Sequence, residues 1–374
     1  MTEQNFIPKA YSESIEKGQF TWSSPSNIAL VKYWGKKDDQ IPRNPSISFT
    51  LDNCKTTTTL RFSKKENQDN FSFDVFLDGD KKDDFKPKIE TFFNRIEVYL
   101  PFLKEYHFTI ETSNTFPHSS GIASSASGMS ALAMCLMSVE KLLSNGVAPS
   151  AVEESFKSYD DYFNKKASFL ARLGSGSACR SIEGDLIVWG EHREIKGSSD
   201  LFGTKYPYKF HENFKNYQDT ILLVDKGEKR VSSTVGHNLM HNHPFAEQRF
   251  KQANENLYKL IEIFKSGDIN AFIEIIESEA LTLHAMMMTS LPYFILMKPN
   301  TLEIINKIWL FRQHTGLPVS FTLDAGANVH VLYPEKDVAS VLEFIKNELV
   351  AYCENGHYIC DIIGFGAKQL KIDN

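Results

Sequence analysis

Twelve residues, PHSSGIASSASG (117–128), hold five serines, two alanines and two glycines. They separate YHFTIETSN, which reads as a β-strand, from MSALAMCLMSVEKLLSNG. In the latter, Met129, Leu132, Leu136, Val139 and Leu143 recur at three- and four-residue spacing, which predicts a buried helix stopped at Asn145-Gly146. A small polar run between a strand and a buried helix is a junction inside a mixed α and β layer, not an interdomain linker. The first N–H groups of a helix lack intrahelical partners, and the helix dipole adds partial positive charge there. Small residues let a phosphate approach that backbone, and serine hydroxyls add donors or ligands for Mg²⁺. The stretch lacks the lysine of a GxxxxGK[ST] loop, and a serine-capped helix packed closely by small residues has the same composition.

The same mixture of elements extends along the chain. Residues 45–62 and 71–78 read as strands around the solvated loop SKKENQDN, and KPKIETFFNRIEVYL reads as a helix. AVEESFKSYDDYFNKKASFLARL is helical and leads through GSGSACRS into the strand DLIVW. Residues 191–218 are polar and aromatic with few regular signals, as in an insertion or a crossing segment. Beyond them come the strand DTILLVD, two helices within 244–287, the helix NTLEIINKIWLFRQH, and the strands PVSFTLD and VHVLYP around AGAN. The helix DVASVLEFIKNELV and the strand HYICDIIGF close the chain. With 374 residues, two α+β lobes are expected, with the break near 190–220.

Charge and composition narrow the partners. The formal net charge is −6, which argues against nucleic acid and leaves a small anionic ligand open. Five scattered cysteines without a CxxC pair read as reduced thiols. No apolar run of membrane-spanning length and no N-terminal apolar segment is seen, so a cytoplasmic protein without membrane attachment is expected.

Five stretches carry side chains suited to chemistry. The first is the small-residue junction. In PSNIALVKYWGKKDD, Lys32, Lys36 and Lys37 flank Tyr33, Trp34 and Gly35, a phosphate-binding patch or an ordinary turn with a buried tryptophan. In RLGSGSACR, Arg180 suits a carboxylate or phosphate, or a structural salt bridge. KGEKRVSSTVG is a basic loop leading into a capped helix. Asp324 in TLDAGAN ends an apolar strand, where it can orient or deprotonate a hydroxyl or simply shape a turn. His237 and His241 have helical i,i+4 spacing, but without an HExxH pattern a metal site is not expected there.

The order of these stretches is more specific than any one of them. SPSNIALVKYWGKKDDQIPRNPSISFTLD, NTFPHSSGIASSASG, ARLGSGSACRS, VSSTVG and TLDAGAN follow one another as in the mevalonate diphosphate decarboxylases of the GHMP kinase superfamily, and the resemblance runs from about residue 21 to about residue 366. It implies the two-lobed α+β GHMP fold: a ribosomal protein S5 domain 2-like lobe at 1–215, an α/β lobe at 216–374, and an active site in the cleft. It also implies ATP, Mg²⁺ and a homodimer. The reaction it implies phosphorylates the 3-hydroxyl of mevalonate 5-diphosphate, then releases phosphate and CO₂ to give isopentenyl diphosphate.

The resemblance assigns residues as well. Pro117, Ser119, Ser120, Gly121, Ala123, Ser124, Ser125 and Ser127 match contacts to the ATP phosphates, with Ser125 also at the metal. Asp324 matches the catalytic aspartate, Lys32 a lysine beside the 3-hydroxyl, and Arg180 the arginine that holds the substrate carboxylate. Tyr33, Trp34, Gly35, Lys36, Ser175, Gly176, Ser177, Ala178 and Cys179 match the substrate-binding segments, and Ser233 and Thr234 a loop closing over the phosphates. Two departures stand out. His118-Ser119-Ser120 replaces a frequent Thr-Ala-Ala, and in FLDGDKKDD Asp80 replaces a frequent arginine for the diphosphate, with Lys81 or Lys82 as stand-ins. The second leaves a mevalonate 5-phosphate decarboxylase or a mevalonate 3-kinase as alternatives. A non-catalytic nucleotide-binding GHMP protein is the alternative of another class.

Overall fold

A computed structural model of the chain describes residues 1–8, 10–37, 40–67, 69–117, 122–146, 156–227 and 233–371. Its first lobe is organised by two long strands, β1 (Lys17–Val31) and β2 (Ser46–Lys64). From Cys54 to Phe62, β2 alternates buried with less buried residues, as a strand does with one face on a core. From Ser46 to Leu51 it is buried throughout, and β1 is buried throughout from Ser23 to Val31. At that end both faces of the sheet are covered, the second face by the other lobe.

The first sheet continues through β3 (Ser72–Leu77), β4 (Asp80–Lys81) and, after helix α1 (Lys86–Ile96), β5 (Tyr106–Asn114). Helices α2 (Ser124–Leu143) and α3 (Tyr159–Gly174) follow, then β6 (Leu186–Trp189) and β7 (Thr204–Lys205). β5 lies between β2 and β3, parallel to β3, while β6 pairs with the buried end of β2. α2 has the length and apolar character of a membrane span, but here most of its surface is buried. Its buried residues share one core with Phe6, Phe92, Phe93, Phe102, Tyr106, Phe108 and Phe169.

In the second lobe, β8 (Gln218–Leu222) is followed by α4 (Ser233–Asn238), α5 (Ala246–Ser266), α6 (Ile269–Met288) and α7 (Pro299–Thr315). Then come β9 (Ser320–Leu323), β10 (Val329–Tyr333), α8 (Val338–Phe344) and β11 (Tyr358–Ile362). The antiparallel sheet runs β11-β8-β10-β9. Gly267 ends α5 in the left-handed region at φ 78° and the Asp268 side chain caps α6, so the two helices turn back within two residues. This sets them side by side against the first lobe.

The lobes share a hydrophobic core. Ile28, Leu30, Ile47 and Phe49 of the first sheet pack with Leu257, Leu260, Phe264, Phe272 and Ile276 of α5 and α6. Tyr206, Phe214 and Tyr217 complete this cluster, so the aromatic segment 191–218 supplies filling between the lobes. Asp361 of β11 accepts the backbone N–H groups of Asp52, Asn53 and Cys54 at 2.7–2.8 Å, tying the second sheet to β2. The final strand, β12 (Lys368–Leu370), returns to the first lobe and pairs with β1. No local pattern in the sequence announces this last exchange.

Candidate active site

Lys32 is the residue at which β1 runs out, and its backbone is held from the second lobe. Glu279 of α6 accepts its N–H at 2.8 Å, and Arg249 of α5 donates Nη2 to its carbonyl at 3.0 Å. Asn44 donates to the same carbonyl at 3.0 Å. Arg249 and Glu279 pair with each other through both guanidinium amino groups, and Asn256 donates to Glu279 at 2.7 Å. With the backbone fixed, the buried Lys32 ammonium lies 3.5 Å from Asp324 Oδ1. Burial pulls the Lys32 pKa down, while Asp324 and Glu279 act against that shift.

Asp324 follows β9, and its carbonyl is fixed by the N–H of Gly326 at 2.7 Å and by His284 Nε2 of α6 at 3.1 Å. Burial pushes the His284 pKa down to about 4, so the ring is a neutral donor near pH 7. Lys32 and Asp324 therefore meet across the two lobes.

Arg180 is buried, with one edge of its guanidinium already used. Nε donates to Asn27 Oδ1 at 3.2 Å and Nη1 to Ser46 Oγ at 2.5 Å. Asn27 is in turn fixed on Ser181 Oγ and the Ser177 carbonyl. The second amino group, Nη2, has no partner among the described residues, and the side chain lines the same cavity as Lys32 and Asp324. The Arg180 guanidinium lies over the Trp189 ring, its central carbon 5.7 Å from the ring centroid.

The KYWGK segment turns across the cavity mouth. Gly35 has φ +97°, and a Cβ there would meet the Phe250 ring at 3.0 Å, so both backbone and space demand glycine. Tyr33 is wedged against Trp189 and His237, and its buried hydroxyl has no partner among the described residues. Trp34 packs with Met240, Phe250, Leu283 and Met287. Lys36 is half-buried, which lowers its pKa, and its ammonium donates to Gln40 at 3.3 Å. Lys37 instead leaves the cavity and faces Asp200 at 3.8 Å.

These groups enclose a cavity of about 270 Å³, which Lys32, Tyr33, Trp34, Lys36, Ala123, Ser125, Ser175, Gly176, Ser177, Arg180, His237 and Asp324 help to line. A second cavity of about 130 Å³, mostly apolar, adjoins it and is lined by Thr56, Val75, Leu77, Ile110, Asn114, Ser124 and Met129 among others. Ser125 and Lys88 line both. Ala123 precedes α2 in the left-handed region at φ 47°, an uncommon conformation for a residue with a Cβ. The helix start thus opens directly on the two cavities.

Some residues singled out from the sequence are placed elsewhere. Ser127 is turned into the sheet, 2.6 Å from Thr56 Oγ1. Ala178 and Cys179 are buried behind the cavity wall, and burial pushes the Cys179 thiol up to about 12. Pro117 is outside both linings, and Ser119, Ser120 and Gly121 lie outside the described residues. Ser233 and Thr234 begin α4, with side chains outside the description. His243 Nε2 donates to the Met286 carbonyl at 3.1 Å and lies 3.2 Å from Thr289 Oγ1, away from His237. Lys81 pairs with Asp74 at 2.8 Å and lines neither cavity, nor does Lys82. The basic residue that this segment sends to the cavities is Lys88, in the first turn of α1.

Two family models match the chain. Residues 24–200 match the diphosphomevalonate decarboxylase-like N-terminal domain, and residues 220–363 match the mevalonate 5-diphosphate decarboxylase C-terminal domain. The chain belongs to the diphosphomevalonate decarboxylase family. Among its relatives, the diphosphomevalonate decarboxylase of Ganoderma lucidum is 29% identical over 94% of this chain and 87% of its own. Among solved structures, MDDEF in complex with MVAPP, AMPPCP and magnesium aligns at a TM-score of 0.76 and 28% identity, covering 95% of this chain and all of that one. The mevalonate diphosphate decarboxylase of Staphylococcus aureus aligns at 0.76 and 27%, covering 95% of this chain and 98% of its own. The decarboxylase described here therefore has the two-lobed GHMP fold. Its Lys32, Arg180 and Asp324 meet in the cleft, although the first and last are separated by nearly three hundred residues.

Proposed function

We propose that this enzyme decarboxylates mevalonate 5-diphosphate at the expense of ATP, giving isopentenyl diphosphate, ADP, phosphate and CO₂. The observation that carries the reading is the Lys32–Asp324 pair at 3.5 Å, set in one cavity with an arginine whose free edge faces inward. In this reading Asp324 orients the 3-hydroxyl and takes its proton as that oxygen attacks the γ-phosphorus of ATP. Lys32 holds positive charge beside the reacting oxygens. When the 3-phosphate leaves, the electrons of the bond to CO₂ form the new carbon–carbon double bond. The carboxylate must therefore be ionised, and Arg180 positions it without protonating it.

The exposed start of α2, with Ala123, Ser124 and Ser125, takes the ATP phosphates, and the apolar 130 Å³ cavity beside it takes the nucleoside. Lys36 and Lys88 face the diphosphate, with Ser175 and Ser177. The donors fit Mg²⁺: Ser125 and Asp324 offer hard oxygens on one cavity without forming a closed cage, as suits an ion that keeps waters and phosphate oxygens. Bound there, Mg²⁺ would neutralise charge on the phosphates. AMPPCP, magnesium and MVAPP bound together in MDDEF support this set of ligands. Five free cysteines, four of them buried, support a reducing cytoplasm, and the family resemblance supports a homodimer.

The test is to supply Mg-ATP with mevalonate, its 5-phosphate or its 5-diphosphate and to measure ADP and CO₂. Coupled ADP and CO₂ from the diphosphate is the expected result. ADP without CO₂ overturns the decarboxylase reading, and CO₂ from the monophosphate alone reassigns the substrate. Asp324→Asn should bind ATP and release neither product.

A further inference from the structure

His237 is a cavity-lining side chain to which neither the motifs nor the reaction scheme assigns a task. It lies on α4, between the rings of Tyr33 and Trp34, with centroid distances of 4.2 and 4.7 Å. The fit is tight: a Cβ on the neighbouring Gly236 would meet Trp34 at 2.5 Å. His237 Nδ1 lies 2.9 Å from the backbone N of Gly35. A backbone N–H can only donate, so Nδ1 is the acceptor and carries no proton. The ring is then neutral with its proton on Nε2. Burial, with the charges of Lys36 and Arg180, keeps it neutral by pushing its pKa down to about 3.

Nε2–H is therefore a fixed donor, and it has no partner among the described residues. The ring forms part of the wall of the 270 Å³ cavity, which Lys32, Lys36, Lys88 and Arg180 also line. A neutral donor held among cations suits an anion with several oxygens, because it adds a directed hydrogen bond without a further charge to neutralise. Resting on the substrate assignment above, we propose that His237 Nε2–H donates to a diphosphate oxygen of the substrate, making His237 a specificity-determining residue held in its tautomer by the backbone of Gly35.

Two substitutions separate this role from mere tethering of Gly35. His237→Asn offers an acceptor near the Nδ1 position but no donor near Nε2. His237→Gln offers an amide N–H near Nε2. Expected for His237→Asn is a KM for mevalonate 5-diphosphate raised about ten- to a hundredfold, the range of one hydrogen bond to a charged group. Inhibition by inorganic pyrophosphate should weaken by the same factor, with the KM for ATP unchanged and kcat within about threefold. His237→Gln should regain most of the lost affinity. Thermal unfolding checks that both variants are folded. A wild-type KM in His237→Asn overturns the proposal, as does a raised KM with unchanged pyrophosphate inhibition. Calorimetric binding of pyrophosphate reads the same contact without turnover, so a failure of the substrate assignment remains distinguishable from a failure of this one.

Discussion

Replacing Glu279 with alanine tests whether the second lobe holds Lys32 in place for its proposed role. Glu279 accepts from the backbone N–H of Lys32, from both amino groups of Arg249 and from Asn256. Both members of the Arg249–Glu279 pair are 0% exposed. Removing the carboxylate leaves a guanidinium buried without its counter-charge, which typically costs about 3–5 kcal/mol. Against a folding stability of about 5–15 kcal/mol, the variant stays folded at room temperature. At about 2–4 °C per kcal/mol for lobes of this size, its Tm falls by about 6–20 °C. The same change frees the Lys32 backbone from α6, so kcat should fall at least about tenfold, since catalysis is sensitive to displacements of about 1 Å. The assay pairs calorimetric unfolding with steady-state CO₂ release. Glu277, on the same helix, is the control: its partner Arg312 is 26% exposed, so water can rehydrate it and Glu277→Ala should cost less. A Tm for Glu279→Ala within about 2 °C of wild type, or a loss no larger than that of Glu277→Ala, refutes the reasoning.

Other consequences follow from the same geometry. In the unfolded chain His237 and His284 take up a proton near pH 6.5, but in the folded enzyme only near about 3 and about 4. The unfolded state thus binds more protons below pH 6.5, and stability should fall on acidification by about 1.4 kcal/mol per unit for each ring. His284→Gln, which keeps a donor for the Asp324 carbonyl, should roughly halve that slope in denaturant titrations at pH 4–6; an unchanged slope contradicts it. Arg180→Lys keeps the charge but loses the paired anchors on Asn27 and Ser46, so CO₂ release should drop at least about tenfold while ATP binding is retained. Gly176→Ala places a Cβ 2.8 Å from Trp189 and 3.1 Å from the Tyr33 hydroxyl, so the KM for the mevalonate substrate should rise while the KM for ATP does not.

How much of this was legible in the sequence depends on how far apart the cooperating residues lie. The strand–junction–helix around 117–128 could be read because its periodicities are local, although α2 begins at Ser124, five residues ahead of the first periodic residue, Met129. Lys32, Arg180 and Asp324 could be located because each sits in a short motif whose order resembles a known family. The clamp on Lys32 could not be read. Arg249 and Glu279 are 217 and 247 residues away from the lysine, and in their own helices they look like ordinary charged positions. Lys88 is illegible for a related reason: Lys81 and Lys82 stand closer to the β3–β4 turn in sequence, and only the packing of α1 decides which lysine reaches the cavities. The spacing of His237 to His241 carries no hint of its surroundings, because what defines it is a backbone N–H 202 residues away.

The common factor is that the first lobe supplies Lys32 and Arg180 while the second fixes the backbone of the former and supplies Asp324. Because the lobes meet through a continuous apolar core and the Asp361 clamp on β2, the Lys32–Asp324 separation is set by interlobe packing as much as by either motif. A change at that core, such as Phe272→Ala, should therefore do more than lower stability by the roughly 3–5 kcal/mol of a lost buried aromatic ring. It should also lower kcat, although Phe272 lines neither cavity. The matched control lies in the first lobe's own core, where Phe108→Ala removes an equally buried ring far from the lobe interface. At a temperature where both variants are fully folded, equal kcat values for the two would mean that the lobes hold their spacing without that core. A selective loss in Phe272→Ala would tie the chemistry to the packing between lobes.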